Sequence, residues 1–353
     1  MARNILILGA SYGSLLATKL LMAGHNVTLV CRKQTAELIN RDGTEVRIKL
    51  RDEAAHRPIF SRDLSGILDA VEPADVDPSR YDLVGLAMQE PQYTDHAIQI
   101  LMIKIAEAKL PCLSIMNMPP LPYLKRIPAL AKMQLEEAYT NAAVWERFEP
   151  GLVSLCSPDP QAFRPPEEAA NVLHVGLPTN FKAASFADEK HNLLLRELEA
   201  DIDAVKLDGQ DVPVKLKVFD SMFVPLAKWS MLLTGNYRCI TPQEPQSIRD
   251  AVHGDINLSQ SIYDHVDAIA QRLGADPIDR NRHGVDRLLH DADADRCAAG
   301  DQIAGQQRHV VRDLADEFLR AEVGYGTLRL YVTAMGTPRG APDASAVMLS
   351  FSF

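Results

Sequence analysis

The residues with the clearest chemical meaning form the run Gly9-Ala10-Ser11-Tyr12-Gly13-Ser14, between two apolar stretches, residues 3–8 and 14–23. Glycines at a strand-to-helix turn let the backbone approach a pyrophosphate closely, and the helix N-terminus then aims free N–H groups at its negative charge. Gly9 and Gly13 stand one residue closer than the outer glycines of G-x-G-x-x-G. A purely packing role competes with this reading, and the strand–turn–helix–strand setting favours a dinucleotide. The second apolar run, NVTLVCR, ends in Arg32 and is followed by Lys33. Sites for NAD place Asp or Glu there, whereas a guanidinium fork suits the 2′-phosphate of NADP. The alternative is an exposed basic pair on a surface loop.

Three further positions could carry proton or substrate chemistry. Lys228 lies in the apolar segment FVPLAKWSMLL, where desolvation would lower its pKa toward working pH and suit it as a general acid. A lysine snorkelling from a half-buried helix is the competing reading. Asn236, eight residues on, shares roughly one helix face with it and could orient substrate or cap the helix. Asn117 ends the apolar run PCLSIM, at the strand end where open α/β sheets bind ligands. It could contact substrate or nicotinamide, or serve as a helix or turn cap.

The elements that must position these residues follow from periodicity. Residues 3–8, 26–32, 81–88 and 111–116 read as buried parallel strands, with helices over 14–25 and 94–108 between them. Asp42-Gly43 followed by the alternating TEVRIKL predicts a strand or hairpin insertion. Strand-like pieces recur in 139–180, then a helix over 189–202 and a short edge strand over 203–208. From Pro213 the pattern predicts helices over 214–236, 245–273 and 280–292. The fold class is therefore α/β, a Rossmann-type doubly wound parallel sheet over residues 1–210 with a mainly helical domain over 211–353.

Composition narrows the function classes. A formal net charge of −10 argues against non-specific binding to nucleic acid or anionic membrane. Five cysteines lie far apart without metal-ligand spacing, so neither a zinc site nor a disulfide framework is expected, and a reducing cytoplasmic setting fits. The apolar run 5–23 could pass for a membrane span or signal segment. Lys19 and the cluster Gly9, Ser11, Gly13 and Ser14 interrupt it, which favours strand–turn–helix.

Taken together the residues resemble ketopantoate reductase, the family that reduces 2-dehydropantoate to pantoate with NADPH. The resemblance runs from Gly24-His25-Asn26-Val27 to Arg32, through Leu86-Ala87-Met88-Gln89, Asn117, and Thr140 to Val153, to Lys228 and Asn236. It departs from the family where Gln89 replaces a lysine, Met118 a glycine and Leu232 an asparagine. Cys297-to-Asp301 with Gly305 resembles the S-M-x-x-D-x-x-x-G segment. That alignment places Cys297 at the family's substrate serine and His309 at its substrate glutamate.

The resemblance implies Lys228 as proton donor and Asn117, Asn236, Cys297 and His309 at the substrate. The cofactor would lie against Gly9 to Ser14, Arg32, Lys33, Met88, Gln89 and Asn117. It also implies a homodimer and a helical domain like that of 6-phosphogluconate dehydrogenase. Two rivals keep the fold. An opine-type dehydrogenase would need a histidine–aspartate pair, for which His265 with Asp264 or Asp267 is available. A non-catalytic NADP(H) sensor would account for the altered family positions.

Overall fold

The computed structural model describes residues 2–50, 53, 55–239, 246–279, 327–332 and 347–352. It divides into two compact units, one formed by residues 1–127 and 143–225, the other by 128–142 and 226–353.

The first unit opens with β1 (Asn4–Leu8), α1 (Gly13–Met22), β2 (Asn26–Val30) and α2 (Lys33–Asp42). The hairpin β3 (Glu45–Ile48) and β4 (Arg57–Phe60) follows, then β5 (Leu68–Val71) and β6 (Leu83–Leu86). Next come α3 (His96–Glu107), β7 (Cys112–Ser114) and α4 (Leu121–Lys125). The remainder holds β8 (Val153–Ser157), β9 (Gln161–Phe163), β10 (Val172–Leu177) and β11 (Phe181–Ala184). It closes with α5 (Glu189–Asp203), β12 (Lys206–Leu207), β13 (Gln210–Asp211) and β14 (Leu216–Phe219).

Eight strands form the main sheet in the order β14-β11-β8-β7-β6-β1-β2-β5. Every pairing in it is parallel except β8 with β11. From β1 the chain steps one way to β2, and from β6 the other way to β7. Right-handed crossovers then place α1 and α3 on opposite faces, and the reversal beside β1 is the topological switch point. Covering both faces explains why β1 is apolar at consecutive positions. Ile5 and Ile7 join the core cluster that includes α1, while Leu6 and Leu8, equally buried, face the other side.

The alternating segment TEVRIKL supplies β3, which joins a second sheet ordered β4-β3-β10-β9. Val46, Ile48, Leu173 and Val175 on this sheet belong to the α1 core. The apolar run 5–23 is thus accounted for by β1 and α1, and Lys19, only 1% exposed, is buried with them. Among the described residues no helix is long and apolar enough to cross a membrane.

The helix expected over 214–236 is present only in its second half. Leu216–Phe219 instead pairs in parallel with β11 as the edge strand β14, since alternating Leu216 and Val218 bury one face against the core. The first unit accordingly runs on to residue 225. Helices α2 and α4 and strands β5, β11 and β13 had no counterpart in the reading of periodicity.

In the second unit, α6 (Lys228–Met231) passes directly into a π-helical turn over Leu232–Asn236. The segment expected as one helix over 245–273 is two, α7 (Ile248–His253) and α8 (Ile256–Leu273). Asp255 leaves helical geometry between them, and its carboxylate accepts from the Leu258 N–H at 2.9 Å as the N-cap of α8. Gly274 closes α8 in the left-handed region. A hairpin of β15 (Thr327–Val332) and β16 (Val347–Ser352) completes the described residues. The helix expected over 280–292 lies outside them.

Candidate functional site

The parallel strands β7, β6, β1 and β2 end in register, with Leu8 opposite both Leu86 and Val30, and Leu86 opposite Ser114. Residues just beyond these ends therefore gather along one edge of the sheet. They include Gly9, Cys31 and Arg32, Met88 and Gln89, and Asn117.

The turn after β1 is built for close approach. Gly9 has φ +104°, and a Cβ there would lie 2.8 Å from the Ala87 carbonyl oxygen and 2.9 Å from the Met88 side chain. Its N–H donates to the Val30 carbonyl at 3.0 Å, which fixes the turn to β2. At Gly13 a Cβ would lie 2.7 Å from Ile7, so this glycine lets α1 sit close on β1. The Ser14 hydroxyl, buried, donates to the Ala10 carbonyl.

Tyr12 is pinned by its side chain, the hydroxyl donating to the Pro160 carbonyl at 2.6 Å and the ring meeting Phe181 edge-on. Its contribution to a nucleotide would thus come from the backbone. The N–H groups of Ala10, Ser11 and Tyr12 have no acceptor among the described residues. With no acidic side chain in the first turn of α1, these donors are arranged as an anion would require. The cradle fits a dinucleotide pyrophosphate.

At the end of β2, Arg32 is exposed and is the N-cap residue of α2, with Lys33 as that helix's first residue. The pair is therefore anchored at a strand-to-helix junction. A second guanidinium, absent from the motif reading, lies beside it. Arg164, half-buried just after β9, donates through Nη2 to the Ala10 carbonyl at 2.9 Å. Burial lowers its pKa from the usual arginine value, Cys31 opposes that, and the like charge of Arg32 adds to it. The Cys31 thiol is pushed up to about 11 by burial, against the pull of Arg164 and Arg32 and with a contribution from Glu72. No motif links Arg164 to the turn, because 154 residues separate it from Ala10.

Met88 is half-buried over Gly9, and Gln89 is exposed, its backbone N–H donating to Gln92 Oε1 at 2.8 Å. Asn117 is exposed in the bend after β7. The N-cap residue of α4 is Pro120, and among the described residues the Asn117 side chain has no hydrogen-bond partner.

In the second unit, Lys228 is half-buried at the first position of α6, and Asn236 closes the π-helical turn. A π-turn takes more residues per revolution than an α-turn, which rotates Asn236 back toward the face of Lys228, and such turns recur at functional sites. Leu232 of the π-turn, Val252 of α7, and Tyr263 and Val266 of α8 are buried where these elements pack together. His265 and Asp264 are exposed on α8, where Asp264 accepts from Gln260 at 2.8 Å. Cys297 and His309 lie outside the described residues. Among the described residues no group of His, Cys, Asp and Glu could hold a metal ion.

Comparison with known proteins bears on the nucleotide edge first. Residues 5–86, from β1 to β6, match the family model described as ketopantoate reductase PanE/ApbA. No curated protein matches the chain. Among solved structures, a Ralstonia solanacearum MolK2 protein described as a ketopantoate reductase is 14% identical, with TM-score 0.58. That match covers 90% of this chain and 98% of the other. A PanE/ApbA family ketopantoate reductase from Ralstonia eutropha JMP134 is 14% identical at TM-score 0.50, over 89% and 99% of the two chains. A Bacillus subtilis protein described as 2-dehydropantoate 2-reductase is 13% identical at TM-score 0.51, over 86% and 87%. The chain has the fold of these proteins, and over residues 5–86 its sequence is similar to the PanE/ApbA ketopantoate reductase family model.

Proposed function

We propose that the protein is an NADPH-dependent reductase of a small 2-oxo acid, such as 2-dehydropantoate, forming the 2-hydroxy acid. The observation that carries the reading is the turn at Gly9, where the N–H groups of Ala10, Ser11 and Tyr12 have no acceptor among the described residues, at the switch point and with Arg32 at the end of the neighbouring strand. The family match over the same residues supports it. NADPH, when bound, supplies the hydride that adds to the substrate carbonyl carbon.

The remaining chemistry falls to the chain's own side chains. Charge that develops on the carbonyl oxygen needs a proton donor, and the Lys228 ammonium takes that role. Asn117 and Asn236 offer both donor and acceptor atoms to a carboxylate or hydroxyl and act as positioning residues. A homodimer in the cytoplasm belongs to the same reading.

The test is NADPH consumption by purified protein against a panel of 2-oxo acids headed by 2-dehydropantoate, with Lys228→Ala beside it. The expected result is turnover in the wild type and a kcat reduced about 10²- to 10⁴-fold in the variant, with NADPH affinity retained. Turnover that requires an added amine would replace this reading with the opine-type reaction. Absence of turnover across the panel, with NADPH still bound, would put the non-catalytic sensor in its place.

A further inference from the structure

The half-buried Arg164 has no carboxylate partner among the described residues. It donates to the Ala10 carbonyl and feels the Cys31 thiol and the like charge of Arg32. Glu72, just beyond β5, makes no ion pair with Arg164 among the described residues, and its charge is felt at Cys31. A guanidinium carries five donors in a rigid fork, and one bond to a carbonyl leaves most of them unused. Holding it near a second arginine costs free energy through both desolvation and repulsion. An anion placed between the two would relieve both costs.

The backbone around Arg164 is held firmly enough to preserve such an arrangement. Phe163, the preceding residue, pairs with His174 in the β9–β10 ladder, and the two rings lie 5.1 Å apart. Pro165 and Pro166 follow at once and fix their own backbone torsions. The Ala10 bond then holds the guanidinium at the turn after β1, within electrostatic reach of Cys31 and Arg32 at the end of β2, where a dinucleotide presents its adenosine ribose.

We propose that Arg164 is a specificity-determining residue that clamps, together with Arg32, the 2′-phosphate of NADP(H). The β9–β10 hairpin would thereby supply half of the phosphate site, and cofactor choice would not rest on the β2 end alone. This proposal rests on the NADP reading above.

The test measures binding of 2′,5′-ADP and of ADP to the full-length protein by titration calorimetry, for wild type, Arg164→Met and Arg164→Lys. The expected result is a wild-type preference for 2′,5′-ADP that falls about 10- to 100-fold in Arg164→Met, the worth of a charge-assisted contact. ADP affinity should stay unchanged, which also shows that the variant is folded. Arg164→Lys should recover part of the preference, because it keeps the charge and loses the fork.

A wild-type preference that survives in Arg164→Met overturns the proposal and leaves the NADP reading standing. A wild type with no preference overturns both. Equal weakening of the two nucleotides in Arg164→Met also overturns it, and would reduce Arg164 to a prop for the turn at Ala10.

Discussion

Replacing Lys19 with methionine should change how stability depends on pH, by an amount the structure specifies. Lys19 sits in α1 at 1% exposure, its amine 3.3 Å from the Val212 carbonyl and 3.0 Å from the Pro213 carbonyl. A neutral amine has two N–H groups and finds two acceptors here, whereas an ammonium would leave a third N–H unpaired. Burial, with the charge of Lys215 adding to it, lowers its pKa from 10.5 to about 7.

The sign follows from linkage. Above pH 10.5 the amine is neutral in both folded and unfolded chains, so it costs nothing. As pH falls from there toward 7, the unfolded chain takes up a proton that the folded chain refuses, and stability declines. Below about 7 both states are protonated and the loss is complete, at about 5 kcal/mol for a shift of this size.

Between pH 7.5 and 9.5 the wild type should therefore gain about 2.5 kcal/mol relative to Lys19→Met. Titrations of groups that do not interact with Lys19 cancel in the difference. Urea unfolding followed by the fluorescence of Trp145, buried in the same unit, measures it. Both proteins would carry Trp229→Phe to silence the other tryptophan, which belongs to the second unit. A stability difference that stays flat across that pH range would refute the argument and mean that Lys19 keeps its charge in the fold.

Two further substitutions test the turn and the helical unit. Gly9→Ala places a methyl against the Ala87 carbonyl at a positive φ, which should cost about 1–3 kcal/mol and weaken NADPH binding at least about tenfold by closing the cradle. Unchanged affinity in a fluorescence titration would show that the nucleotide does not use this turn. Asp255→Ala removes the cap of α8 and should lower the stability of the second unit by about 1 kcal/mol, read from urea unfolding monitored at Trp229. A null effect would mean that water replaces the carboxylate without loss.

Local pattern alone was enough to define the central parallel strands of the first unit. Apolar runs at 3–8, 26–32, 81–88 and 111–116 became β1, β2, β6 and β7, because strands covered on both faces need continuous hydrophobicity. Gly9 and Arg32 were legible because a turn and a strand end impose residue types directly. Strand β14 was not legible: Leu216–Phe219 is short, and its strand state depends on pairing with β11, far from it in sequence. Helix α2 was missed because only Ala36 and Ile39 of its ten residues are buried, leaving little apolar periodicity to read.

Lys19 and Arg164 mark the limit of that reading most plainly. In sequence Lys19 looks like a break in an apolar run, and only tertiary packing shows it sealed inside the core with two carbonyls from beyond α5. Arg164 looks like one more surface arginine until β9 pairs with β10 and carries it to the Ala10 carbonyl. Sequence fixes what each residue can do chemically and what its near neighbours impose. Which distant groups share a low-dielectric space, and so which charges are shifted or left without a counter-ion, is decided when the chain closes on itself.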